Sequence, residues 1–122
     1  MTQPTDTEYL SPLITDQSMS ADFITPYSIV HGWDNGSMTM AWTGASSTTA
    51  LLIPEASNDT ICWCKLVSTS QAKKVDDVAG CQMYLFSFFG HKYIRFRFSK
   101  QSETTGLMTV ELYVSRFFGR NR

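Results

Sequence analysis

Residues 1–60 contain no lysine and no arginine. The opening Met1-Thr-Gln-Pro-Thr-Asp6 therefore lacks the positive region of a secretory signal, and it lacks the apolar region too. No run of about 18 apolar residues occurs anywhere, so no membrane span is expected. The chain is expected in the cytosol, or as a processed piece of a longer product. Histidine is scarce: only His31 and His91 could join the cysteines as nitrogen ligands. Cysteine is also scarce, and its count is odd: Cys62, Cys64 and Cys81. An odd count with no secretory signal argues against a disulfide framework. The spacing of Cys62 and Cys64 is not the Cys-x-x-Cys of zinc or redox sites, so buried reduced thiols are expected, with no metal and no cofactor. No nucleophile elbow, phosphate loop, paired-carboxylate motif or nucleotide fingerprint is present, which argues against an enzyme. Asp76-Asp77, beside two lysines, reads as a solvated turn.

The 122 residues suffice for one domain and are few for two. Hydrophobic residues make up 43% and charged residues 17%, a composition that buries a core rather than staying disordered. Aromatics lie mostly among Val, Ile and Thr, which favours half-buried strands. Charge is segregated. Asp6, Glu8, Asp16, Asp22, Asp34, Glu55 and Asp59 stand alone in the first half. Residues 91–122 hold Lys92, Arg95, Arg97, Lys100, Arg116, Arg120 and Arg122 against Glu103 and Glu111. Either the two halves attract each other within one fold, or an acidic and a basic surface serve assembly.

Residues 1–26 carry Pro4, Pro12 and Pro26, with Leu10, Leu13, Ile14, Phe23 and Ile24 too scattered for a helix or a paired strand. They read as an extended N-terminal arm with apolar anchors, and residues 27–122 as the folded domain. Asn35-Gly36 is the favoured pair for a two-residue hairpin turn. A hairpin over Ser28–Thr43 then puts Ile29, His31, Trp33, Met38, Met40 and Trp42 on one face. Ala50–Ile53 is a short strand ended by Pro54, and Glu55–Asp59 is a turn. Thr60–Ser68 is apolar on both faces and reads as central. Gln82–Phe89 reads as a buried strand. Lys92–Lys100 alternates Ile94, Phe96 and Phe98 with Tyr93, Arg95 and Arg97. Leu107–Val114 alternates Met108, Val110, Leu112 and Val114 with Thr109, Glu111 and Tyr113. The short polar link between these last two favours a local hairpin, with Arg95 opposite Glu111. The fold class is therefore all-β: an antiparallel β-sandwich or partial jelly roll of about seven strands.

Two surfaces are candidates for binding. Tyr93, Arg95 and Arg97 on one strand, with Arg116, Arg120 and Arg122 near the end, suit an assembly surface or a polyanion such as RNA. The acids of the first half would repel a polyanion, so nucleic acid is the lesser reading. The second candidate is the hairpin face of His31, Trp33, Met40 and Trp42, where ring stacking would suit a lectin-like module. An apolar face of this kind equally suits core. The sequons at Asn35 and Asn58 are short patterns that arise by chance, and a turn role already accounts for Asn35.

The run Tyr84-Leu-Phe-Ser-Phe-Phe-Gly-His-Lys-Tyr-Ile-Arg-Phe-Arg-Phe98, followed by Thr104-Thr-Gly-Leu-Met-Thr-Val-Glu-Leu-Tyr-Val114, resembles capsid proteins of picorna-like viruses. In that family an aromatic strand leads through a glycine turn to an alternating basic and hydrophobic strand, then a Gly-Leu turn and another strand. The segment Phe89-Gly90-His91-Lys92 departs from the Arg-Gly usual there. The resemblance covers about a quarter of the chain, which is short for a complete capsid jelly roll. It implies a structural virion protein, a small or minor capsid or projecting-domain subunit. Its partners would be copies of itself or other capsid proteins, in the virion and the host cytoplasm. It also implies that the strands over 92–100 and 107–114 belong to facing sheets, against the hairpin reading.

Overall fold

The computed structural model describes residues 5–87 and 92–117, with the backbone alone at 5–11 and 117. Arg120, Arg122 and the Phe89-Gly90-His91 turn lie outside the described residues. The strands are β1 (Thr5–Ser18), β2 (Phe23–Ile24), β3 (Ser28–Ile29), β4 (Asn35–Thr43), β5 (Leu51–Ser57), β6 (Cys64–Lys65), β7 (Lys73–Lys74), β8 (Gly80–Ser87), β9 (Tyr93–Ser99) and β10 (Leu107–Phe117). A 3-10 turn covers Thr69–Gln71, and the described residues contain no α-helix. One sheet runs β1-β10-β4-β8, and the other runs β2-β9-β5-β6 with β3 on β9 and β7 on β5. All pairs are antiparallel. The fold is an all-β sandwich.

Alternation along each strand builds the core, because neighbouring side chains on a strand point to opposite faces. From the first sheet come Met38, Met40 and Trp42 on β4, Met108, Val110, Leu112 and Val114 on β10, and Tyr84 on β8. From the second come Leu52 on β5 and Ile94, Phe96 and Phe98 on β9. Fully burying each of these large side chains stabilises the fold by about 1.5–3 kcal/mol. The polar tips of the buried rings are satisfied: Trp42 Nε1 donates to Asp77 O at 2.9 Å, and Tyr84 Oη donates to Leu52 O at 2.9 Å. The Tyr84 bond ties the sheets together, and burial pushes its phenol above the ordinary range despite a bond accepted from the Lys73 amide.

Several expectations are corrected. Asn35-Gly36 is not a turn. It opens β4 and is paired on both sides, to Ser115 and Val114 and to Ser87 and Phe86. The chain turns earlier, at Gly32 with φ +92°, where Trp33 N donates to Val30 O at 3.1 Å. Ile29 and Met40 thus belong to different sheets. Residues 92–114 are not a hairpin either: β9 pairs with β2, β3 and β5, while β10 pairs with β1 and β4. The link between them crosses from one sheet to the other around Glu103. This fully buried carboxylate accepts bonds from the amides and hydroxyls of Ser46 and Ser47. Burial opposes its charge, but those four donors prevail and hold its carboxyl below the ordinary range.

The segment read as an unpaired arm contains a paired edge strand, because β1 follows β10 through register shifts around Pro12. Pro54 does not end β5. Its carbonyl accepts from Leu66 N at 2.9 Å, on the side away from β9. The missing proline donor falls on that same side, where β7 pairs only Leu51 and Leu52 and β6 only Glu55 and Ala56. Thr60–Ser68 is not a central strand. It is a covering loop with two paired residues, and Ile61 is 81% exposed. Strand β8 is an edge strand, not a buried one. All three cysteines are free, as expected, but exposed rather than buried.

Candidate functional site

The outer face of the second sheet brings aromatic and charged side chains together. Strand β5 is buried throughout. Its inward residues meet the core, and Leu51, Ile53 and Glu55 point outward beneath the 58–72 loop. Register places Glu55 opposite Arg95 and Ile53 opposite Arg97. The Glu55 carboxylate is therefore flanked by two guanidiniums on one face: Arg95 Nε donates to Oε1 at 2.8 Å and Arg97 Nε to Oε2 at 3.0 Å. Glu55 is only 4% exposed as a residue, and the Arg97 side chain is 45% exposed.

The loop above is folded by Asp59. Its Oδ1 accepts the amides of Ile61 and Cys62, each at 2.9 Å, and the Ser57 hydroxyl at 3.0 Å. Those amides, Cys62 first, and that hydroxyl hold the Asp59 carboxyl below its ordinary range. Trp63 Nε1 then donates to Thr60 O at 3.1 Å. This turns the indole over Arg95, whose guanidinium carbon lies 4.1 Å from the ring centroid. Tyr27 joins from the chain between β2 and β3. Its ring meets Tyr93 edge-on at 5.3 Å and Trp63 at 6.0 Å. Beside this cluster runs an open groove of about 590 Å³, lined by Ile24, Leu51, Ile53, Trp63, Lys65 and Arg97 among others.

Of the residues singled out in the sequence, Tyr93, Arg95 and Arg97 come together here. Arg116 does not join them: it lies over Trp33, 4.8 Å from the ring centroid. Arg120 and Arg122 are outside the described residues. The second candidate face fails as a platform. Met40 and Trp42 are buried in the core, Trp33 packs against it, and His31 is exposed in the turn. A polyanion surface is weakened, because Glu55 takes up part of the charge of Arg95 and Arg97. Among the described residues, no group of three or more His, Cys, Asp and Glu side chains is placed to hold a metal ion.

Glu55, Trp63 and Tyr27 escaped the sequence reading. A carboxylate inside the apolar run Leu51-Leu-Ile-Pro-Glu-Ala56 was the available signal for Glu55, since such a group needs cationic partners when buried. Nothing local marks Trp63 or Tyr27.

No family model matches the chain, and no curated protein matches it. Its fold is similar to that of the SPBc2 prophage-derived protein YomS. The two are 14% identical with a TM-score of 0.55, over 95% of this chain and 98% of that one. At this identity the likeness is one of fold.

Proposed function

We propose that the chain is a structural virion protein, a small or minor capsid or projecting-domain subunit that works by protein–protein assembly and not by catalysis. The observation that carries this reading is the outer face of the second sheet. Trp, Tyr and Arg are the residues that dominate binding energy at protein interfaces, and here Tyr27, Trp63, Tyr93, Arg95 and Arg97 lie side by side. Ile24 and Ile29, both exposed, extend the patch. The crossing of β9 and β10 to facing sheets agrees with the arrangement the capsid resemblance implies, and a prophage-derived protein of similar fold gives further support.

Light scattering and negative-stain electron microscopy on the full chain test the reading. Particles or symmetric oligomers are expected. Trp63→Ala should reduce assembly while leaving the β-rich circular dichroism spectrum intact. A monomer that instead responds to a glycan array would replace assembly with a ligand-binding module, its site moved from Trp33 and Trp42 to the groove beside Trp63.

A further inference from the structure

We infer that β8 is a self-pairing edge: two copies of this chain join antiparallel through Gly80–Ser87 across a twofold axis, fusing their four-stranded sheets into one of eight strands. The inference concerns the sheet opposite the aromatic patch and does not depend on that patch.

A sandwich of two open sheets has edges whose backbone groups can pair with another chain, and natural proteins blunt them. Here most are blunted. The second sheet ends on one side in β2 and β3 and on the other in β6 and β7, each only two residues long. The first sheet ends on one side in β1, which carries Pro12 and register shifts at three places along its pairing. Asp6, Glu8 and Asp16 also lie along that strand. Strand β8 has none of these devices. It is eight residues long, it contains no proline and no charged residue, and it pairs with β4 in unbroken register from Asn35↔Ser87 to Trp42↔Gly80. Among the described residues no strand occupies its other side.

Its outward side chains point the same way. Tyr84 faces the core, so Cys81, Met83 and Leu85 face out, and Met83 is 51% and Leu85 78% exposed. Their neighbours across β4 by register are Ala41, Thr39 and Ser37, all uncharged. Charge beside the strand meets its inward residues, where Asp76 accepts from Gln82 Nε2 at 3.0 Å and Lys73 lies over the Tyr84 ring. These outward positions offer neither an acidic nor a basic partner a charge to recognise. A second copy needs none. Twofold pairing sets the strand against itself, and no like charges of the paired strands face each other because Gly80–Ser87 carries no charged residue. Residues directly opposite each other in an antiparallel pair point to the same face. Any register that pairs odd-numbered with odd-numbered residues therefore brings Met83 and Leu85 of both copies onto one outer surface and keeps Gln82, Tyr84 and Phe86 inward in both. Strand addition at an open edge supplies main-chain hydrogen bonds, and the paired apolar side chains supply selectivity.

A charge-exchange experiment tests the twofold directly. Because each copy contributes the same strand, Leu85→Lys places two like charges across the axis, and so does Leu85→Glu. Either variant alone should sediment as a monomer over a concentration series in which the wild type is dimeric. Dimerisation should weaken at least about a hundredfold, from lost apolar burial on both sides together with the repulsion. An equimolar mixture of the two variants should recover dimer. The site is exposed, so both variants should keep the wild-type circular dichroism spectrum and melting temperature at low concentration. A wild type that stays monomeric across the series overturns the inference, as do variants that dimerise as well as wild type or a mixture that recovers nothing. Trp63→Ala separates the two proposals: it should leave this dimer intact while reducing larger assemblies.

Discussion

Replacing Glu55 by Gln keeps shape and volume while removing the charge between Arg95 and Arg97. The Arg95 side chain is 19% exposed and that of Glu55 6%, so the bond between them is largely shielded from water. A charge-assisted bond of this kind contributes about 1.5–3 kcal/mol. The Arg97 side chain is 45% exposed, and that pair should contribute only about 0.2–1 kcal/mol. Gln retains one acceptor oxygen, but its amide hydrogens would face a guanidinium. A total loss of about 2–3 kcal/mol is expected. Urea unfolding followed by tryptophan fluorescence should show a midpoint lowered by roughly 1–2 M with the slope unchanged. A double-mutant cycle should then give Glu55 a larger coupling with Arg95, read in Arg95→Met, than with Arg97, read in Arg97→Met. A Glu55→Gln loss under about 0.5 kcal/mol, the range of ordinary surface substitutions, would refute the claim that Glu55 organises this face.

Glu103 makes stability pH-dependent. Its folded carboxyl is held below the ordinary value, so its contribution is complete above the unfolded value of about 4.3 and is lost as pH falls through the folded one. Glu103→Gln should flatten the fall in urea midpoint on acidification below that value, and an unchanged acid profile would count against the four-donor account. Gly106 has φ +113°, and a Cβ there would lie 2.9 Å from Met19 Sδ and 3.1 Å from Thr43 O. Gly106→Ala should cost about 1–3 kcal/mol in the same unfolding assay, and a neutral outcome would show that the crossing link relaxes freely.

Strand identity was legible wherever one face is buried and the other is not. Ile94, Phe96 and Phe98 against Tyr93, Arg95 and Arg97 come from period-two alternation, a local property that the backbone enforces whatever the partner strand is. The same holds for Met108, Val110, Leu112 and Val114, and for Met38, Met40 and Trp42. Alternation says which face is inward and not which sheet receives the strand. A hairpin and a sandwich satisfy the pattern of 92–114 equally. In the fold the link crosses between the sheets, and Glu103 ties it to Ser46 and Ser47 of the β4–β5 link, which crosses there too, more than fifty residues away in sequence. Asn35-Gly36 misled for a related reason: turn propensity is worth little against a strand paired on both sides. Apolar content also overstated burial. Ile61, Met83 and Leu85 look like core by composition, but they lie in a covering loop and on an edge strand, and only tertiary position settles that. The aromatic patch was half visible. Composition and alternation alone put Tyr93, Arg95 and Arg97 on one face, while Glu55, Trp63 and Tyr27 reached them from distant segments through register and a loop wound on Asp59.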